Sequence, residues 1–289
     1  MDMIIETDIG HDPDDFFALC YLHSVGVNIR AILICPGDPD QVAIARFFCD
    51  QVGLYCPIGA SKLGRTKPSS GSIHHEMMKK YGYKLEAHPT GLGVDILKDV
   101  FKDYPDSELF IIGPAASLGA WLKAHPDQFV NRATMQGGFC GYHLHQYPVR
   151  RLPQFEGKTW MPTFNLNGDR PGGQAFLDAY IKERRFVGKN VCHTVVYEKH
   201  HYEQMTTPKT RSGELFMEAM GMYLERHEGK KFHDPTAAVC HLHPEIGTWL
   251  WGRVKKIEGG WGTVLHETGD WVLADIDYDK LWEHIYEWK

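Results

Sequence analysis

The residues with the clearest capacity for chemistry lie near the start of the chain, in "ETDIGHDPDDFFAL", residues 6–19. Glu6, Asp8, Asp12, Asp14 and Asp15 fall between the apolar run Met3-Ile4-Ile5 and the apolar residues Phe16, Phe17 and Leu19. A single carboxylate at a helix start is an ordinary cap worth about 1 kcal/mol; four aspartates within eight residues exceed that need. Two carboxylates about 4 Å apart repel by roughly 4 kcal/mol at an effective dielectric of about 20. A bound divalent cation turns that repulsion into attraction. Oxygen ligands with no cysteine nearby point to Ca2+ or Mg2+, and a flexible cage favours Ca2+. The spacing is not that of an EF-hand loop, and the D-x-D-x-T/V pattern of phosphatases is absent. A capped, solvated turn is the other reading of the same residues. Far along the chain, "FHDPTAAV" (232–239) places His233 and Asp234 before a proline, which alone describes a helix start with Pro at its first position. The histidine-rich triplets at 143–145, 199–201 and 241–243 carry little weight as a transition-metal site, because i, i+2 spacing on irregular segments fixes no geometry.

The elements that must hold these residues read as an α/β fold. Short apolar runs at 3–5, 28–35, 108–112 and 191–197 have the composition of strands buried on both faces. Helical patterns lie between them: Phe16, Leu19, Cys20 and His23 recur on one face, 40–53 is bounded by Asp and Gly, and 94–105 and 115–126 each run into a proline. This alternation predicts an open, mostly parallel sheet with helices on both faces. A hairpin over 251–267 and a closing helix near 278–288 add a small mixed edge. No linker divides the chain, so 1–289 is read as one domain. In such a sheet, ligands bind beyond the carboxyl ends of the strands. Asp8 ends the first strand, Gly10 permits a bend, and Asp14 or Asp15 opens the helix that follows. The segments 60–76 and 140–163 fit no regular element, and loops of that length usually carry function.

The N-terminal stretch resembles the signature of the inosine-uridine-preferring nucleoside hydrolase family, in a variant with two extra residues before the paired aspartates. Three further blocks follow in the family's order. "IIGPAASLGAWLKAHPDQFVNRATMQGGF" (111–139) resembles a G-P-L-T-N helix followed by M-G-G, "TFNLNGD" (163–169) is similar to an E-F-N segment, and "FHDPTAAV" matches an H-D-P helix start. Residues 60–106 and 140–162 match little. The resemblance implies a Ca2+-dependent N-ribohydrolase that splits a ribonucleoside into base and ribose. Asp8, Asp15 and Asp234 would bind the metal with carboxylates and Ile112 with its carbonyl. Asp8 would also take the proton of the attacking water, and His233 would face the departing base. Asp14 or Asp12, Asn165 and Asp234 would hold the sugar, with Asp14 preferred over Asp12 because helix packing fixes position better than a loop does. His74-His75 echo a substrate-binding loop. Family members are commonly homodimers or homotetramers.

Some positions depart from the pattern. Glu6 replaces the family's first aspartate, Thr163 replaces the glutamate of E-F-N, and Ala115-Ala116-Ser117 replaces L-T-N. Lys62, Arg65 and Lys67 crowd one irregular segment, and Arg150, Arg151 and Lys158 the other. Loss of a carboxylate with a gain of cations suits an anionic group on the sugar. The alternatives are therefore a hydrolase of a nucleoside 5′-monophosphate or modified nucleoside, or a non-catalytic protein that binds a ribosylated ligand. Trp160 and Tyr142 are candidate contacts for the base. A net charge of −6 argues against nucleic-acid or anionic-membrane partners. Seven scattered cysteines without a CxxC suit reduced thiols. The opening residues carry no leader-like pattern and no run approaches about 18 apolar residues, so a cytoplasmic location is expected.

Overall fold

A computed structural model describes residues 1–289 apart from His11, 67–71, Thr206, Thr268 and 287–289. Lys67 thus lies outside the described residues. The strands, in chain order, are β1 (Asp2–Thr7), β2 (Asn28–Ile34), β3 (Ile58–Ala60), β4 (Gly91–Leu92), β5 (Glu108–Ile111), β6 (Val130–Gln136), β7 (Ile181–Val187), β8 (Val196–Glu198), β9 (Gly229–Lys231), β10 (Gly247–Ile257), β11 (Gly260–Leu265) and β12 (Asp270–Ile276). Ten of them form one sheet in the order β11-β10-β12-β7-β6-β5-β1-β2-β3-β4. From β12 to β4 every pairing is parallel; β10 pairs antiparallel with β12 and β11, making the mixed edge.

Alternation along the central strand shows why both faces are covered. Met3 and Ile5 enter one apolar cluster with Phe16, Phe17 and Met220, whereas Ile4 enters the other with Leu97, Trp121 and Phe176. Side chains two apart share a face, so a strand of continuous apolar character must be buried on both. Helix Pro39–Val52 begins with a capping box between Asp38 and Gln41 and ends at Gly53 in the left-handed region, φ 69°. Helices Gly93–Asp103, Ala116–Ala124 and Tyr278–Tyr286 occupy the expected segments. The hairpin turns at Glu258-Gly259, both with positive φ.

The run at 191–197 is not a strand of the main sheet. Lys189–Cys192 is a helical turn, and Val196–Glu198 pairs antiparallel with β9 in a separate two-stranded sheet. The place beside β6 belongs instead to β7, "IKERRFV". Its charges are matched across the sheet: Arg184 pairs with Asp270 at 2.8 Å, and Arg132 of β6 pairs with Glu183 at 3.2 Å. The irregular segment at 60–76 turns helical at Ser72, beginning the helix Ser72–Lys80. Among the described residues, no helix is long and apolar enough to cross a membrane.

Candidate active site

A cavity of about 760 Å3 opens at the carboxyl ends of the parallel strands. Its wall takes Asp8 from beyond β1, Cys35 and Pro36 from beyond β2, Ser61 and Lys62 from beyond β3, Ile112 from beyond β5, and Gln136 from the end of β6. This is where parallel topology leaves strand ends and helix starts facing one space.

The loop after β1 is tightly fixed. Thr7 Oγ1 donates to Asp15 Oδ1 and accepts from the Ile9 backbone N–H at 3.0 Å. The Gln41 amide donates to the Asp8 carbonyl at 3.1 Å while its oxygen caps Gly37 and Asp38, so helix Pro39–Val52 pins the Asp8 backbone. On the other side lies Gly113, where a Cβ would stand 2.4 Å from the Asp8 nitrogen. Only glycine permits that approach.

Asp14 and Asp15 open helix Asp14–Ser24, and Asp234 opens helix His233–Leu242. Their carboxylate oxygens lie within 4.8 Å of one another, and the Asp234 N–H donates to Asp14 Oδ2 at 3.4 Å. All three side chains are buried. Burial, reinforced by repulsion from Asp14, pushes the Asp8 carboxyl up to about 7. Burial and then mutual repulsion also raise Asp15 and Asp234 well above the carboxylate range. One cation answers this charge directly: Lys230 Nζ lies 2.7 Å from Asp12 and 3.3 Å from Asp14. Five carboxylates, those of Asp8, Asp12, Asp14, Asp15 and Asp234, line this cavity with the Lys230 ammonium paired to two of them, which leaves an excess of negative charge, and the donors are all oxygen. That set fits a hard divalent cation.

The sequence-predicted residues separate into two groups. Asp8, Asp12, Asp14, Asp15, Ile112, Asn165, His233 and Asp234 all line this cavity. Asp12 stands at its exposed lip and Asp14 at its floor. Asn165 Nδ2 donates to the Gln136 carbonyl and side-chain oxygens, each at 2.9 Å. His74 does not reach the cavity: it is buried edge-on to Phe16 at 5.6 Å, because the helix Ser72–Lys80 turns it inward to the core. His75, Trp160 and Tyr142 are likewise outside the cavity lining; Trp160 packs over Gly262 and His143 instead. Glu6 is not in the cavity either. It accepts from the backbone N–H of Ser117 at 2.6 Å and of Leu118 at 3.0 Å, capping the helix that carries the departures at 115–117. Of the basic residues, Lys62 and Arg65 line the cavity, with Arg65 paired to Asp38. Arg150 and Arg151 line a second cavity of about 340 Å3 under residues 139–156.

The sequence reading missed Gln136, Phe164, Lys189 and His193, all of which line the main cavity. Phe164 and Gln136 sat inside quoted blocks, where neighbouring positions drew the reading. His193 was hidden by the strand expected at 191–197, and Lys189 lies just before that run, at the start of the helical turn Lys189–Cys192. The rings of His193 and His233 stand 5.0 Å apart. Burial first, then nearby positive charge, takes both down to about 4.

A mostly parallel sheet thus carries at its strand ends a cluster of aspartates that could hold a metal ion. The inosine-uridine preferring nucleoside hydrolase profile matches residues 3–283. The chain belongs to that family and is an N-glycosyl hydrolase. Solved structures agree in fold. A plant nucleoside hydrolase superposes with a TM-score of 0.71 at 16% identity, covering 99% of this chain and 98% of that one. An inosine-uridine preferring nucleoside hydrolase from Bacillus anthracis gives 0.71 at 14% identity, with 98% and 97% covered. A purine-preferring ribonucleoside hydrolase from Gardnerella vaginalis gives 0.63 at 14%, with 99% and 97% covered. No curated protein sequence matches the chain significantly.

Proposed function

We propose that this protein is a calcium-dependent N-ribohydrolase that cleaves the N-glycosidic bond of a ribonucleoside to free base and ribose. The observation that carries this reading is the meeting of the adjacent Asp14 and Asp15 with Asp234, more than two hundred residues further along the chain, within 4.8 Å beside Asp8. Asp8, Asp15 and Asp234 would hold the ion with carboxylates and Ile112 with its carbonyl. When bound, the ion supplies a Lewis acid that acidifies a water and grips the sugar diol.

The chain's own residues do the rest. Asp8 takes a proton from the water as its oxygen bonds to C1′, and the C1′–N bond breaks with its electron pair passing to the base. The sugar acquires oxocarbenium character, which the surrounding carboxylates stabilise. Asp14 accepts from a ribose hydroxyl, with Asp12 at the lip as the alternative. The Asn165 amide nitrogen is held by Gln136, which leaves its oxygen for a second hydroxyl. His233, a neutral imidazole, faces the departing base and hydrogen-bonds to it through a ring N–H, and the base takes up its proton from solvent as it leaves.

Ribose release from a nucleoside panel, measured with calcium and with a chelator, tests the reading. The wild type should lose activity under chelation, and Asp8→Asn should stay inactive with calcium present. Full turnover by Asp8→Asn would refute it.

A nucleoside 5′-monophosphate remains a second reading, favoured by Lys62 and Arg65 in the wall of the cavity that is also lined by the buried Thr163, whose hydroxyl has no hydrogen-bond partner among the described residues. It is weakened by Arg65 already being paired and by Arg150 and Arg151 lying elsewhere. Parallel rates on inosine and its 5′-monophosphate separate the two.

A further inference from the structure

The cavity's cations are not equivalent. Lys230 is held by Asp12 and Asp14, and Arg65 by Asp38. Lys189 also lines the cavity and is half-buried, yet among the described residues no carboxylate pairs with it and no hydrogen bond reaches its ammonium. Burial, and then the positive Lys231, disfavour its charged form, and the Cys192 thiol beside it, pushed up to about 12 by burial, is neutral and offers no counter-charge. A partly desolvated ammonium without an anion is costly. It lies on the side of the cavity formed by His193 and His233: the His193 backbone N–H donates to the Lys189 carbonyl at 3.2 Å, the His193 ring stands 5.0 Å from that of His233, and all three residues line the cavity.

We infer that Lys189 is a specificity-determining residue whose ammonium pairs with an anionic substituent, a carboxylate, on the base of the nucleoside. This rests on the hydrolase reading only in taking the His233 side of the cavity as the place of the base. A carboxylated base supplies the missing counter-charge to a partly desolvated ammonium, where a charged hydrogen bond is stronger than in bulk water. A neutral base leaves the ammonium unpaired. The acidic floor repels the same carboxylate, so the ligand is held in one orientation, sugar toward the aspartates and anion toward Lys189.

The experiment compares matched pairs on the calcium-loaded protein by calorimetry: uridine with 5-carboxyuridine, uridine with orotidine, and nicotinamide riboside with nicotinic acid riboside. Uridine 5′-monophosphate is included as a ligand whose anion is on the sugar. Ribose release is followed in parallel. The carboxylated member of at least one pair should bind at least about tenfold more tightly. Lys189→Met should erase that preference, and Lys189→Arg should keep most of it, which excludes a general loss of structure. The inference is overturned if no pair shows a preference or if the preference survives Lys189→Met. It is also overturned if uridine 5′-monophosphate outbinds every carboxylated base and loses that advantage in Lys62→Ala. Binding without ribose release from any ligand would count against the hydrolase reading and leave the carboxylate preference still decided by the affinities.

Discussion

The two cavities of this molecule treat charge in opposite ways. Under residues 139–156, Arg150 pairs with Asp275 at 2.9 Å and lies 4.8 Å over the Tyr278 ring. Asn190 there spends its whole amide on the Cys140 backbone and the Arg150 carbonyl. At the carboxyl ends of β1 and β5, the buried Asp14, Asp15 and Asp234 crowd one floor beside Asp8, and among the described residues Lys230 is the one lysine paired there. Matched charge staples a loop to the sheet. Unmatched buried charge destabilises the empty fold and persists only where a ligand compensates it.

If that contrast holds, substitutions in the two places should behave oppositely. Asp8→Asn should cost on the order of 10²–10⁴-fold or more in ribose release, the scale of a lost general base, with the fold retained by circular dichroism. Calcium in excess should raise the melting temperature of the wild type by several degrees, since a ligand at 100-fold its dissociation constant contributes about 2.7 kcal/mol. Asp234→Asn should lose that response, and in chelator should melt no lower than the wild type because a repelling charge has gone. Arg150→Ala should leave turnover and the calcium response intact and cost only about 0.5–1 kcal/mol in denaturant unfolding, as expected for a half-exposed ion pair.

The smallest effect concerns a matched site in acid. His201 Nδ1 accepts the Glu198 backbone N–H at 3.0 Å, and its ring stacks on Trp282 at 3.9 Å, so the fold requires neutral imidazole. Burial, and then His200, lowers His201 to about 4. Between an ordinary value of about 6.5 and that value, the unfolded chain binds a proton that the folded chain does not. Stability therefore falls as pH drops through this window. Melting temperatures from pH 7 to 4.5 should decline less steeply in His201→Gln than in the wild type; an unchanged slope would remove His201 from the account.

What was legible in the sequence follows the same division. The acidic loop, the Gly-Pro block and His-Asp-Pro were readable because each joins a strand end or helix start to residues whose chemistry is local. The central strands were readable because continuous apolar runs report burial on both faces. β7 was not, since its charges are neutralised by partners on β6 and β12 that no local pattern reveals. The inward turn of His74 and the partnership of Glu6 with the helix at 116–124 depended on packing between distant segments. His193 could have been found only once 191–197 was freed from its expected strand.

The central claim is that the acidic floor holds one hard cation. Calorimetric titration of the metal-stripped wild type with calcium, repeated on Asp234→Asn, measures it directly. One ion should bind per chain in the wild type, with affinity lost in the variant; an absence of binding in the wild type, or equal binding in both proteins, would contradict the account.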